Sequence, residues 1–224
     1  MAKENINIQP LTYISLFSCA GVGCYGYKQE GFSCVATVEL NARRLAVQKH
    51  NAKCRYNTGY ICGDMASQDT KDKVFAELER WKKNEHLKKL DVLVATPPCQ
   101  GISVQNHKKK DEINRNSLVV ESVEMVDKIR PKVFVFENVM AFEKTLCIKK
   151  DERTMPIGEY IREALGENYV ISSRILNFMN YGANSSRTRT LVIGVDKAYK
   201  ESITPYDLFP KYCKEKTLRE VVGN

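Results

Sequence analysis

Short apolar runs alternate along this chain with polar, helix-patterned segments, and that alternation restricts the fold to a parallel sheet flanked by helices. Leu11 to Phe17 reads as a first buried strand ending in the turn Ser18-Cys19-Ala20-Gly21. A helix is predicted from Val22 to Glu30, stopped by Gly31. Phe32 to Leu40 reads as a second strand, Ala42 to His50 as a helix, and Tyr60 to Cys62 as a short third strand closed by Gly63-Asp64. The charged stretch from Lys71 to Lys89 predicts a long amphipathic helix. Asp91 to Ala95 is a fourth strand, which Thr96-Pro97-Pro98 forces into an extended turn. Gly101 to Asn116 is polar and patternless, and reads as a loop. Ser117 to Ile129 predicts a helix and Lys132 to Phe136 a fifth strand, with Glu137-Asn138 at its carboxyl end. Two more strands, Val170 to Leu176 and Thr190 to Val195, leave no room for a crossover helix, so they predict an antiparallel pair at one edge. Past Asp196 the pattern dissolves. The expectation is one α/β domain with ligands at the carboxyl ends of its strands.

Composition narrows the class of partner. The formal charge of +8 favours a polyanion, because lysines placed near phosphates release condensed counterions. Lys108, Lys109 and Lys110 follow His107 in the patternless loop. No apolar stretch reaches membrane-spanning length, and Met1 to Pro10 lacks the apolar core of a signal peptide, so no membrane partner and a cytoplasmic location are expected. The eight cysteines are scattered and no pair has zinc-finger spacing. They read as reduced, mostly buried thiols, with Cys99 the exception.

The chemistry-bearing residues gather at the strand ends. The turn Phe17 to Gly23 offers backbone N–H groups to a polar ligand but is neither a GxGxxG fingerprint nor a phosphate loop. Glu39, at the end of the second strand, is placed to accept from both hydroxyls of a ribose, and Asp64, after the third, from an adenine amino group. Each also has an ordinary reading, as a solvated strand-end acid and as a turn former. Two prolines ahead of Cys99 present its thiol at fixed geometry, and a soft thiolate is suited to adding to an electron-poor ring carbon. Glu137 ends the neighbouring strand, where a carboxyl can engage a ring nitrogen. Arg187 and Arg189 lie two apart and share a face on extended backbone, free to hold a base carbonyl, a phosphate or Glu137.

This constellation resembles the DNA cytosine-5 methyltransferase family. Leu16-Phe17-Ser18-Cys19-Ala20-Gly21 is similar to the family's cofactor motif, Pro98-Cys99-Gln100 to its Pro-Cys-Gln, Glu137-Asn138-Val139 to its Glu-Asn-Val, and Arg187-Thr188-Arg189 to the tail of its Gln-x-Arg-x-Arg. Tyr181-Gly182 and Thr217-Leu218-Arg219-Glu220 also match, and the order from Leu11 to Gly223 is the family's. The resemblance implies a Rossmann-like S-adenosylmethionine-dependent methyltransferase fold, mostly parallel with an antiparallel edge hairpin. It implies methyl transfer from S-adenosylmethionine to C5 of a cytosine flipped out of double-stranded DNA. The resemblance implies that Cys99 attacks C6, that Glu137 engages the N3 side, that Arg187 holds the carbonyl and that Arg189 supports Glu137. On the cofactor side it implies Phe17, Ser18, Cys19, Ala20 and Gly21 in the turn, Glu39 on the ribose, Leu40 on the adenine face, Asp64 and Met65 at its edge, and Pro97 beside them. Residues 1–196 are then the catalytic and cofactor-binding domain, and 197–224 an extension toward a target-recognition region.

The departures are Cys19 and Val22, where the family usually has glycine, and Ser185 and Asn184, where it has glutamine and often proline. The family continues into a recognition region and a final motif beyond the point this chain reaches. A second subunit carrying recognition and a longer parent chain are both open, and little sequence-specific activity is expected of the chain by itself. A cofactor-binding subunit without turnover and an RNA cytosine-5 methyltransferase are the competing readings.

Overall fold

The computed structural model describes residues 9–98 and 117–223. Seven strands form one sheet: β1 (Thr12–Leu16), β2 (Ser33–Glu39), β3 (Tyr60–Cys62), β4 (Val92–Ala95), β5 (Val133–Asn138), β8 (Tyr169–Asn177) and β9 (Thr188–Asp196). Their order is β3-β2-β1-β4-β5-β9-β8. Pairings from β3 through β5 are parallel, whereas β9 runs antiparallel to both β5 and β8. The edge hairpin expected from the close spacing of the last two strands is present. β6 (Leu146–Ile148) and β7 (Thr154–Pro156) form a separate small antiparallel ribbon. This is the Rossmann-like arrangement, mainly parallel with an antiparallel edge.

The helices are α1 (Tyr25–Gln29), α2 (Ala42–His50), α3 (Gln68–Asn84), α4 (Ser117–Ile129), α5 (Ile157–Leu165), α6 (Pro205–Leu208) and α7 (Leu218–Val222). Several bounds differ from expectation for visible reasons. The first helix opens as a single 3-10 turn over Val22–Cys24 before α1. α3 begins at Gln68 and stops at Asn84, because His86 turns left-handed at φ 55° and Leu87 bonds back to the Trp81 carbonyl at 3.3 Å. α5 was not foreseen, although Ile157, Tyr160, Ile161 and Leu165 bury one helical stripe. The last segment carries α6 and α7, each opened by a capping box, Thr204 with Asp207 and Thr217 with Glu220. Phe209 packs there against Leu176 and Ile193.

The core lies between the sheet and the helices on its faces. Strands β1, β2 and β4 are buried along almost their whole length, as expected where both sheet faces are covered, whereas β5 alternates buried and half-buried positions. Phe134 sits against Phe136 with ring centroids 4.9 Å apart and edge-on to Tyr169 at 5.1 Å. Gly194, opposite Phe134 on β9, leaves room for that ring: a methyl group there would lie 2.0 Å from Cε1 of Phe134. Gly194→Ala is therefore expected to cost about 1–3 kcal/mol by overpacking. Scanning calorimetry checks this, and an unchanged melting temperature would refute it. Of the seven cysteines described, Cys24, Cys34, Cys54 and Cys147 are buried and Cys19, Cys62 and Cys213 exposed, all as free thiols. Exposure is thus commoner than the composition suggested. Among the described residues no helix is long and apolar enough to cross a membrane.

Candidate active site

The strand order reverses between β1 and β4, and a crevice opens there at the carboxyl ends of the strands. It holds a cavity of about 580 Å³, the volume of a site for a nucleoside-sized ligand. One wall comes from the first three strands: Phe17, Cys19, Glu39, Leu40, Asp64 and Met65. The other comes from β4, β5 and β9: Pro97, Pro98, Glu137, Arg187 and Arg189. Ten of these eleven, all but Pro98, have a cofactor or catalytic role expected from the sequence, and they meet around one space. Cys99 follows Pro98 directly and lies outside the described residues, as do Gln100 and the loop through Asn116.

The first wall is organised by Glu39, only 6% exposed. Its Oε2 accepts from the Cys19 N–H and its Oε1 from the Asn41 N–H, both at 2.9 Å, with Arg44 Nη1 at 3.7 Å. A carboxylate has about four acceptor positions, so hydroxyls of a ligand still find lone pairs there. Glu39 also braces the turn that forms the rest of the wall. Within that turn Phe17 (φ 57°) and Cys19 (φ 50°) adopt left-handed backbone, at a cost of roughly 1–2 kcal/mol for a residue with a side chain. The departure from glycine at Cys19 thus falls on a position whose backbone favours glycine. Asp64 accepts from Ala66 N–H through Oδ1 at 2.9 Å, which fixes the loop after β3.

Three members of the expected turn face elsewhere. Ser18 is buried behind it, its Oγ donating to the Val38 carbonyl at 3.0 Å. Ala20 and Gly21 line a second cavity of about 570 Å³ together with Tyr13, Cys24, Gln48 and Lys53. Left-handed residues stand on both sides of Ser18, at Phe17 and Cys19.

The second wall depends on residues that bridge strands. Thr96 Oγ1 donates to the Phe17 carbonyl at 3.1 Å, tying the turn after β4 to that after β1. Asn138 is buried, and its Nδ2 donates to the Pro97 carbonyl at 3.0 Å while its Oδ1 accepts from Val139 N–H at 2.9 Å. The segment leading into Cys99 is thus pinned from both sides. Thr190 Oγ1 lies 3.1 Å from the Val139 carbonyl and fixes β9 against the end of β5. That register carries Arg189 and Arg187 to the same carboxyl group: Arg189 Nε is 3.2 Å and Arg187 Nη2 3.8 Å from Glu137 Oε1. Arg189 is the more enclosed of the two, and its Nη1 also donates to the Thr188 carbonyl at 2.7 Å. A half-buried carboxyl group flanked by two guanidinium groups, facing a nucleoside-sized crevice, can engage a ring nitrogen while the arginines take a carbonyl.

Comparison with known proteins gives this arrangement a lineage. A family model described as "C-5 cytosine-specific DNA methylase" matches residues 11–224. The Type II methyltransferase M1.HgaI of Avibacterium volantium is 31% identical over 80% of this chain and 48% of its own length. The Type II methyltransferase M.AquIA of a Picosynechococcus species is 30% identical over 81% of this chain and 70% of its own. The Type II methyltransferase M.XorII of Xanthomonas oryzae is 28% identical over 94% and 45%. The chain spans about half the length of the first and third of these relatives. Among solved structures, a Dnmt2 methyltransferase of S. pombe shares the fold with a TM-score of 0.62 at 16% identity, over 96% of this chain and 60% of that one.

Proposed function

Because the chain belongs to the C-5 cytosine-specific DNA methylase family, we propose that it transfers a methyl group from S-adenosylmethionine to C5 of a flipped-out cytosine in double-stranded DNA. The observation that carries this reading is the facing of two walls across one crevice. Glu39 and Asp64 stand on one side, and Glu137 with Arg187 and Arg189 on the other.

S-adenosylmethionine, when bound, supplies the electrophilic methyl group. Glu39, Asp64 and Phe17 hold its nucleoside end: a buried carboxylate for the ribose hydroxyls, a second acceptor for the adenine amino group, and an aromatic face. Leu40 and Met65 add apolar contact and Pro97 closes the edge. In the base pocket the Cys99 thiolate adds to C6, and Glu137 engages N3, so that electron density moves to C5. Arg187 holds the cytosine carbonyl, and Arg189, closer to Glu137, keeps that carboxyl in place. After methyl transfer, loss of the C5 proton and expulsion of Cys99 release the product.

The methyl-transfer machinery is assigned to residues 1–196, and 197–224 is read as an extension of it. Target recognition is assigned to a further segment or a partner subunit, and the location to the cytoplasm. The net charge of +8 supports a nucleic-acid partner.

Covalent capture tests nucleophile and reaction class together. The protein, isolated from its native cells so that any recognition partner accompanies it, is incubated with S-adenosylmethionine and duplex DNA of randomised sequence containing 5-fluorocytosine. Fluorine at C5 blocks the final proton loss, so a DNA-shifted band is expected on a denaturing gel, and none with Cys99→Ala. Absence of the band from the unaltered protein would count against turnover and favour a binding subunit.

A further inference from the structure

Gln48 belongs to no motif, yet it reaches the cofactor turn from behind. It lies on α2 and is 1% exposed. Its Nε2 donates to Ser18 Oγ at 2.8 Å and to the Cys19 carbonyl at 2.6 Å. Its Oε1 accepts from Thr37 Oγ1 at 2.7 Å and from Lys53 Nζ at 3.0 Å. Lys53 also donates to Thr37 Oγ1 at 3.0 Å.

The ends of an amide are distinguished only by their partners, and here the partners leave one choice. An ammonium group has donors and no acceptor, so Lys53 must face the amide oxygen. The NH2 group then faces the turn. Ser18 Oγ, accepting from Gln48, directs its own proton to the Val38 carbonyl at 3.0 Å. Cys19 is consequently held at both of its peptide groups, its N–H by Glu39 and its carbonyl by Gln48. Strained backbone persists where its surroundings over-determine it, and Cys19 at φ 50° is such a case. The chain also passes close over the Gln48 stem, since a methyl group on Gly21 would lie 3.0 Å from its Cγ.

We propose that Gln48 is a positioning residue for the cofactor, with Lys53 fixing the direction of its amide. It holds Cys19 in the left-handed turn, so that the Phe17–Cys19 edge and the Glu39 carboxylate are set for the nucleoside before it arrives. This rests on S-adenosylmethionine being the ligand of the crevice.

The test is calorimetric titration of S-adenosylmethionine into the full chain, with melting temperatures measured alongside. Gln48→Glu keeps the shape but sets an oxygen against the Cys19 carbonyl, and is expected to weaken binding about tenfold or more. Lys53→Met, which frees the amide to turn over, is expected to weaken it in the same direction and serves if Gln48→Glu does not fold. The discriminating step is rescue. Cys19→Gly takes φ 50° without strain, so Gln48→Met is expected to cost markedly less affinity in the Cys19→Gly background than in the original one. If every variant that folds binds as tightly as the original chain, or if the loss is equal in both backgrounds, Gln48 only packs and the inference falls. If the unaltered chain takes up no S-adenosylmethionine, the cofactor reading itself falls.

Discussion

Glutamine in place of Glu137 is expected to slow methyl transfer by about two to four orders of magnitude, the usual range for removing a proton-transferring group, while cofactor affinity stays within a few-fold. The two effects separate because Glu137 stands on the wall opposite Glu39 and Asp64. Glutamine matches the carboxyl in shape and keeps an oxygen toward Arg189 Nε, which lies 3.2 Å from Glu137 Oε1. What it cannot do is exchange a proton with the ring nitrogen of the base. Single-turnover rates measured with saturating cofactor isolate that step from binding and release. A variant as fast as the original would remove Glu137 from the chemistry. A loss of cofactor affinity as large as the loss of rate would show that the two walls do not divide the work as proposed.

The largest expected loss of stability is at a site far from the crevice. Lys71 on α3 is 3% exposed and pairs with Glu121 on α4, with Glu124 Oε2 at 4.0 Å. Glu124 in turn receives Lys150 Nζ at 2.7 Å. Lys71→Met leaves Glu121 enclosed without its cation, and stranding a buried charge costs about 3–5 kcal/mol. In a domain of this size each kcal/mol moves the melting temperature by about 2–4 °C, so a fall of very roughly 6–20 °C is expected. The second replacement decides the cause. Lys71→Met with Glu121→Leu removes both charges and is expected to recover most of the loss, because an apolar pair of similar volume avoids the desolvation that the ion pair must offset. Equal melting temperatures for the single and double variants would point to lost packing instead.

Much of this architecture is legible in the sequence because the inner strands are largely buried and so appear as short, mainly apolar runs. The edge hairpin followed from spacing alone. The end of α3 did not, since nothing local marks His86 for left-handed backbone. α5 was within reach: its stripe from Ile157 to Leu165 has helical period, but it is short and follows an irregular ribbon. At the site, strand-end acids were visible because topology dictates where they point. The residues that brace them were not. Gln48 sits in a polar helix and looks like any solvated glutamine, and Asn138 reveals its hold on Pro97 only once β4 and β5 are side by side. Ser18, Ala20 and Gly21 were expected at the cofactor from the family resemblance; Ser18 is buried behind the turn, and Ala20 and Gly21 line the second cavity. Cys99, the proposed nucleophile, lies outside the described residues, and the proposal draws on the motif and on the pinned segment before it.

The crevice draws its two walls from separate stretches of chain, Phe17 through Met65 and Pro97 through Arg189, and this bears on how such a protein can be inherited. A crossover between related genes within the codons for α3 would exchange one wall whole and leave the other intact. The offspring would remain coherent only if the parents agree along the seam where the halves meet, β1 against β4, from Tyr13 beside Val92 to Leu16 beside Ala95. Those buried contacts, with the Thr96–Phe17 bond and the Lys71–Glu121 pair, set the compatibility that recombination must respect, because each wall brings its own acids or arginines with it.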